Sequence, residues 1–343
     1  MAQTATLFID DQDSQVRYLC DSLHQHVAGS YYNNTWSTIQ SDNCKNGWFD
    51  YTFYGTGIHV AASIATPGAS YSVKIDDEEF VPQFGNGAYD SPTLSDGKHT
   101  ITYASESTGK SLPSFDYLTV NAGSSTPLQG RTLAVDDTDN SIIYSGSWKN
   151  SPAVPLAFDY STSLYRNTTH WSSTVGDSLQ FKFEGTSISV FGIASNISSG
   201  GNITATYTLD GVAQVQSLPQ GTLDSLPMVN LFHADVQPGA HTLIINLTDI
   251  QAPRALGIDL IAYNASFNSI SSQPTASSSS ANGSGLKMGP KVGIALGVIA
   301  GVALLASLFV LLGRRYIRNR NPKFPLSDSL ESGTKKSLPH STW

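Results

Sequence analysis

The chain is poor in charge and in sulfur. Charged residues make up 13% of its 343 positions, with two cysteines and three methionines. So little charge does not suit exposed helical bundles, whereas plentiful Gly, Ser, Thr, Asn and Tyr suits exposed β-sheets. No convincing amphipathic helix precedes residue 292. Basic residues are scarce over most of the chain. From Met1 to Leu286 ten Lys and Arg stand against 25 Asp and Glu, a net of −15, so the bulk of the protein carries no nucleic-acid patch. Met1–Ile9 reads MAQTATLFI, without a basic n-region or an apolar h-region, and Asp10, Asp11 and Asp13 follow at once. A cleavable signal peptide is therefore not expected. Either a signal has been lost upstream, the favoured reading, or a C-terminal helix inserts and carries the N-terminal part across. A tail-anchored chain with a cytosolic N-terminus is the remaining alternative.

One apolar run breaks the polar pattern. Val292 to Leu312 holds 21 residues without a charge. At about 1.5 Å rise per residue it matches a hydrocarbon core of about 30 Å. Arg314, Arg315, Arg318, Arg320 and Lys323 follow it, and from Lys287 onward nine basic residues face two acidic ones, a net of +7. This bias predicts a single-pass membrane protein with a cytoplasmic C-terminus, lipid being one partner. Gly293, Gly297 and Gly301 share one helical face, a small-residue stripe that predicts homodimerisation through the helix. Seven N-x-S/T sequons, at Asn33, Asn167, Asn196, Asn202, Asn246, Asn264 and Asn282, all precede the run. They predict a glycosylated extracellular N-terminal side at the plasma membrane. In that setting Cys20 and Cys44 pair, closing a loop of about 25 residues; two buried thiols in a reducing compartment are the alternative.

An internal repeat of about 130 residues organises everything before the run. Asp10-Asp11-Gln12-Asp13 with Tyr18 corresponds to Asp136-Asp137-Thr138-Asp139 with Tyr144. Asn33 ahead of Trp36 corresponds to Asn167 ahead of Trp171, and Gly55-Thr56-Gly57-Ile58 to Gly185-Thr186-Ser187-Ile188. Gly97-Lys98-His99-Thr100 corresponds to Gly239-Ala240-His241-Thr242, and Phe115-Asp116-Tyr117-Leu118 to Ile258-Asp259-Leu260-Ile261. Within each unit apolar and polar residues alternate, as in Leu179–Phe183, and turn pairs such as Asp210-Gly211 and Asp96-Gly97 separate the strands. The pattern predicts an all-β protein of two tandem jelly-roll-like β-sandwiches, over 1–120 and 132–267, with 121–131 as linker. A disordered Ser-rich stalk over 268–291, the transmembrane helix over 292–312 and a disordered tail over 313–343 complete the expected layout.

The G-T-x-I-x-V strand, the G-x-H-T strand and the Asp-bearing closing strand resemble galactose-binding-like jelly rolls, the architecture shared by many carbohydrate-binding modules. Together with the stalk, the Gly/Ala-rich helix and the basic tail, the arrangement resembles a group of fungal single-pass surface proteins from mushroom-forming species. The resemblance implies a cell-surface setting and binding of cell-wall carbohydrate.

Candidate chemistry is thin. Gly176-Asp177-Ser178-Leu179 spells the block that names a family of serine esterases, but it opens a β-strand and lacks the partner D-x-x-H. His24 and His26 lack further zinc ligands at motif spacing. His99 and His241 recur at matching positions and read as packing or turn-capping residues. The acidic clusters at 10–13 and 136–139, with Asp116 and Asp259, could hold structural calcium or could be hydrogen-bonded turns; otherwise no cofactor is expected. Trp36, Trp48, Trp148, Trp171, Tyr31, Tyr32, Tyr51 and Tyr54 are candidates for sugar stacking or for the core. No nucleophile or acid/base constellation stands out, and the expectation is a non-enzymatic binding or sensing ectodomain. A structural or adhesive surface protein is the alternative, and a membrane-anchored hydrolase is disfavoured.

Overall fold

The computed structural model describes residues 4–27, 31–40, 44–64, 71–105, 113–152, 164–195, 203–218, 226–251 and 253–273. The apolar run at 292–312, the tail and the Ser-rich stretch from 274 onward lie outside them. Among the described residues no helix is long and apolar enough to cross a membrane. What is described is all-β, with a few short 3-10 turns.

In the first repeat, strands alternate their side chains between two faces, and the apolar set turns inward. Leu7 and Ile9 of the Thr6–Asp10 strand enter the main core, and Phe8 between them faces the other way. Thr6–Asp10, Gly57–Ser63 and Ser114–Asn121 lie in one sheet. Val16–Tyr18, Cys44–Gly55, Gly97–Ser105, Tyr71–Ile75 and Val81–Gln83 form a second, five-stranded sheet. Aromatic rings fill the space between the sheets. Phe49 stacks on Phe115 at 4.2 Å and on Tyr103 at 5.3 Å, and Trp48 is fully buried beside them. The Cys20–Cys44 disulfide is formed, with Cα atoms 5.9 Å apart.

In the second repeat, Ser178–Ser195 and Leu226–Ile250 do the work of several shorter strands. Ser178–Ser195 shifts register between Gly185 and Ser187, at the position where the first repeat breaks between Gly55 and Gly57. Glycine is required at this corner because the neighbouring strand passes close. A Cβ on Gly55 would lie 2.6 Å from the Asn121 carbonyl oxygen, and one on Gly185 would lie 2.5 Å from that of Asn264.

The repeats do not sit as separate beads. Thr6–Asp10 pairs with Thr132–Asp136 in antiparallel register, Thr6 opposite Ala134 and Leu7 opposite Leu133. Because Leu7 and Leu133 occupy the same place in the two repeats, the junction is an internal pseudo-twofold. One 15-stranded sheet runs through both halves. The expected linker is packed against both. Leu128 is fully buried, Thr126 donates to the Tyr54 carbonyl at 2.8 Å, and Arg131 donates to the Tyr51 hydroxyl at 2.7 Å. Met1–Ser277 accordingly forms one compact unit. Its outer face at the junction has its own apolar cluster, with Phe8, Tyr32, Tyr117, Tyr165, Phe191 and Leu260.

Candidate functional site

The two 3-10 turns Tyr32–Asn34 and Tyr165–Asn167 project over this outer face. Each ends in two left-handed residues, Asn33 (φ 50°) with Asn34 (φ 62°), and Arg166 (φ 52°) with Asn167 (φ 58°). Left-handed backbone is costly outside Gly, Asn and Asp, so it needs anchoring. The duplicated acidic clusters supply the anchors. Tyr32 N–H donates to Asp116 Oδ1 at 2.9 Å, and Asn33 Nδ2 donates to Asp10 Oδ2 at 2.6 Å. Thr35 Oγ1 donates to Asp11 Oδ1 at 2.7 Å, and Ser37 Oγ occupies the other Asp11 oxygen. In the second repeat Thr168 Oγ1 and His170 Nδ1 hold the two oxygens of Asp137 at 2.6 Å each, and Tyr165 N–H reaches Asp259.

Asp11, Asp116, Asp137 and Asp259 are buried, and burial sets their ionisation. It pushes Asp116 and Asp259 well above the carboxylate range. Burial, with the adjacent Asp10 carboxyl, pushes Asp11 up to about 7. Burial also raises Asp137, against the hydrogen bonds from Thr168 and His170. Among the described residues no group of three or more His, Cys, Asp and Glu side chains converges as a metal ion needs.

Each turn walls a groove whose floor belongs to the other repeat. The Tyr32 groove, about 340 Å³, is lined by Tyr32 and Asn33 from the first repeat and by Ser189, Asn230, His233 and Asn264 from the second. The Tyr165 groove, also about 340 Å³, has Tyr165, Arg166 and Asn167 facing His59, Asp90 and Asn121. Equivalent positions in the strand ladder supply a polar pair to each floor. His59 lies opposite Asp90, with Nδ1 2.7 Å from Oδ1. Ser189 lies opposite His233, with Oγ 2.9 Å from Nδ1. Asp235, 86% exposed, extends the second pair, with Oδ1 3.7 Å from His233 Nε2. That separation is beyond hydrogen-bond reach. In the Tyr165 groove the Arg166 guanidinium lies 5.4 Å from the Tyr165 ring centroid and reaches Thr6 Oγ1 at 3.4 Å. Tyr32 and Tyr165 are themselves buried and brace the turns, so what each groove presents is a close-set array of donors and acceptors, which suits a ligand carrying many hydroxyls.

The sequence-level candidates distribute unevenly over this geometry. Asn33, Asn167 and Asn264 line the grooves, whereas Asn246 is half-buried on the Leu226–Ile250 strand. Asn196, Asn202, Asn282, Gly293, Gly297 and Gly301 lie outside the described residues. Turn backbone corrects one alignment. Asn34, not Asn33, corresponds to Asn167, so Trp36 and Trp171 are not equivalent and Asn33 matches Arg166. Trp48, Tyr51 and Trp171 are core, while Tyr31 and Trp36 stack on each other at 5.6 Å. Asp177 of the esterase-like block is buried under Ser172 Oγ and Ser147 N–H. His99 and His241 lock turns. Each donates from Nδ1 to Asp76 (2.8 Å) or Asp210 (2.6 Å), whose second oxygen accepts the Thr100 or Thr242 N–H. Sequence reasoning missed Arg166, His59, Asp90, Ser189, Asn230 and His233, since cross-strand pairs have no fixed spacing. Only Asn33, Asn34 and Asn167, whose type tolerates left-handed backbone, carried a signal.

No protein-family model matches the chain. Over 245 residues the chain is 24% identical to the A type blood alpha-D-galactosamine galactosaminidase of Flavonifractor plautii, an alignment covering 69% of this chain. The chain spans only 21% of that relative's length. Among solved structures, a CBM36 carbohydrate-binding module in complex with calcium and xylotriose is similar at TM-score 0.24, with 16% identity over 37% of this chain and 96% of that one. A two-domain esterase active on acetylated mannans is similar at TM-score 0.32, with 15% identity over 40% of this chain and 37% of that one. A Paenibacillus xanthan lyase is similar at TM-score 0.26, with 12% identity over 72% of this chain and 25% of that one. The galactosaminidase match corrects the expectation of a non-enzymatic chain: its relative is an enzyme. The expectation rested on finding no constellation in the sequence, yet carboxylates carried on separate strands leave no spacing to find.

Proposed function

We propose that the duplicated unit engages carbohydrate through its two junction grooves, as the sugar-recognising part of a carbohydrate-processing enzyme. The observation that carries this reading is the pair of equivalent grooves, each setting a tyrosine-bearing turn over a cross-strand polar pair. The galactosaminidase match supports it and makes α-D-galactosamine-terminated oligosaccharides the first ligands to try. The full chain, made in a host without N-glycosylation, is to be tested on a glycan array carrying these sugars beside cell-wall glycans. Binding is expected, with at least a tenfold loss on combining His233→Ala with Asn230→Ala or Arg166→Ala with Asp90→Ala. Absence of binding, or binding unchanged in both double variants, would overturn the assignment.

Membrane anchoring belongs to the same proposal. The uncharged run at 292–312 and the basic residues after it support a plasma-membrane anchor with the repeats outside and the tail in the cytoplasm. Gly293, Gly297 and Gly301 support helix pairing. Extraction of the full chain from membranes by alkaline carbonate would exclude the anchor. Unchanged self-association of Gly297→Ile in a membrane reporter would exclude the pairing.

A further inference from the structure

Three sequons converge on the grooves although they are far apart in sequence. Asn33 and Asn264 line the Tyr32 groove and Asn167 lines the Tyr165 groove, whereas Asn246 lines neither. The left-handed turns leave Asn33 and Asn167 exposed at the groove walls. Asn264 uses its Oδ1 to accept the Thr132 hydroxyl at 2.8 Å, which leaves its amide nitrogen for attachment. The Asn33 side chain donates to Asp10 and also meets the Tyr32 hydroxyl, and an attached sugar takes one of its two N–H positions and leaves the other. The Cys20–Cys44 disulfide suits an oxidising compartment, the setting in which secreted chains are also glycosylated.

We propose that N-glycosylation gates the grooves: sugar on Asn33 or Asn264 fills the Tyr32 groove, and sugar on Asn167 fills the Tyr165 groove. This rests on the reading of the grooves as carbohydrate sites. In the attachment, the Asn Nδ2 forms a bond to the anomeric carbon of a lipid-pyrophosphate-linked oligosaccharide. The anomeric C–O bond to the pyrophosphate breaks, and one amide proton leaves with the lipid pyrophosphate. Each groove, at about 340 Å³, lies at the small end of ligand pockets (about 300–1,000 Å³). A linked sugar and a free one therefore compete for the same space. The duplication has made the two gates different, because the position of Asn33 in one turn is held by Arg166 in the other.

The test uses the full chain secreted from a host that performs N-glycosylation, with site occupancy read by mass spectrometry. The probe is an α-D-galactosamine-terminated oligosaccharide. Two routes remove the sugar at the Tyr165 groove. Asn167→Gln deletes the acceptor, while Thr169→Val deletes the sequon and leaves Asn167 in place. Ser266→Ala does the same for Asn264. With Asn167 glycosylated in the parent, both Asn167→Gln and Thr169→Val are expected to bind the probe at least tenfold more tightly, and Asn246→Gln to bind as the parent does. Equal binding by parent and variants despite full occupancy would overturn gating. So would empty groove sequons in a chain glycosylated at Asn246. A chain freed of all three groove sugars that binds no array glycan would instead remove the carbohydrate reading itself, and gating with it.

Discussion

Asp137 shows how one buried carboxyl shapes a surface. Its two oxygens hold Thr168 and His170, the strand start that follows the Tyr165–Asn167 turn. Asp137→Ala would take the carboxyl acceptor from His170 and leave Thr168 only its 3.5 Å contact with Asp136, and each buried group left unsatisfied costs about 1–3 kcal/mol. A loss of roughly 2–4 kcal/mol is expected in urea melts, along with weaker binding at the Tyr165 groove. Titration follows from the same residues. The bonds from Asp76 and the Ser95 carbonyl hold His99 above 6.5. His241 is also held above 6.5, where burial alone would lower it, by Asp210 and the Gln237 carbonyl. Both histidines favour folding fully below 6.5 and lose that contribution as pH rises through their folded values. The His241 and Thr242 bonds hold Asp210 below 3.8, and the His99 and Thr100 bonds outweigh burial to do so for Asp76. These two carboxyls stabilise above 3.8 and stop doing so as pH falls through their folded values. Asp11, pushed up to about 7, favours folding most below 3.8 and loses this by about 7. Asp116, Asp137 and Asp259, raised by burial in the same direction as Asp11, add to that loss, so the sum predicts greatest stability at about pH 4 and a fall as pH rises towards about 7. A flat melting temperature from pH 5 to 8 would refute that fall.

At the scale of the element, the strands are held where backbones pass too closely for side chains. Gly192 is the tightest such point, since a Cβ there would lie 2.0 Å from the Gly257 carbonyl oxygen and 2.7 Å from Leu231 Cδ1. The first contact is with backbone and cannot be relieved by a rotamer change. Gly192→Ala should therefore cost about 3 kcal/mol, at the upper end for overpacking, and a chemical denaturation curve of the variant against the parent would measure it. The alternation in Leu179–Phe183 was legible because one face is buried and the other is not: Leu179, Phe181 and Phe183 are buried and Lys182 is exposed. The pairing of that strand with two others was not legible, because nothing in five alternating residues names a partner.

For the whole molecule, the junction decides how much of the protein is one object. The Thr6–Asp10 and Thr132–Asp136 strands cover each other's open edge, and Phe8 packs against Tyr165 of the other repeat at 5.9 Å. A fragment spanning 132–273 would expose that edge and the outer cluster of Phe191 and Leu260. Such edges recruit other chains. The fragment is expected to dimerise or aggregate in light scattering, while a 1–273 chain stays monomeric; a stable monomeric fragment would show that the junction contributes little.

The duplication, the all-β class, the Cys20–Cys44 pair and the doublet of acidic clusters were all readable in the sequence. Each rests on local composition or on similarity between two stretches of the same chain. The acidic clusters could be found in this way, but their task could not, because Asp116 and Asp259 reach the turns from strands 84 and 94 residues away. The grooves were decided by tertiary structure alone. They exist because equivalent strands meet across a pseudo-twofold, setting the turn of one repeat over the sheet of the other. Pairing between edges depends on shape and burial over the whole sheet, and no short stretch of residues records it.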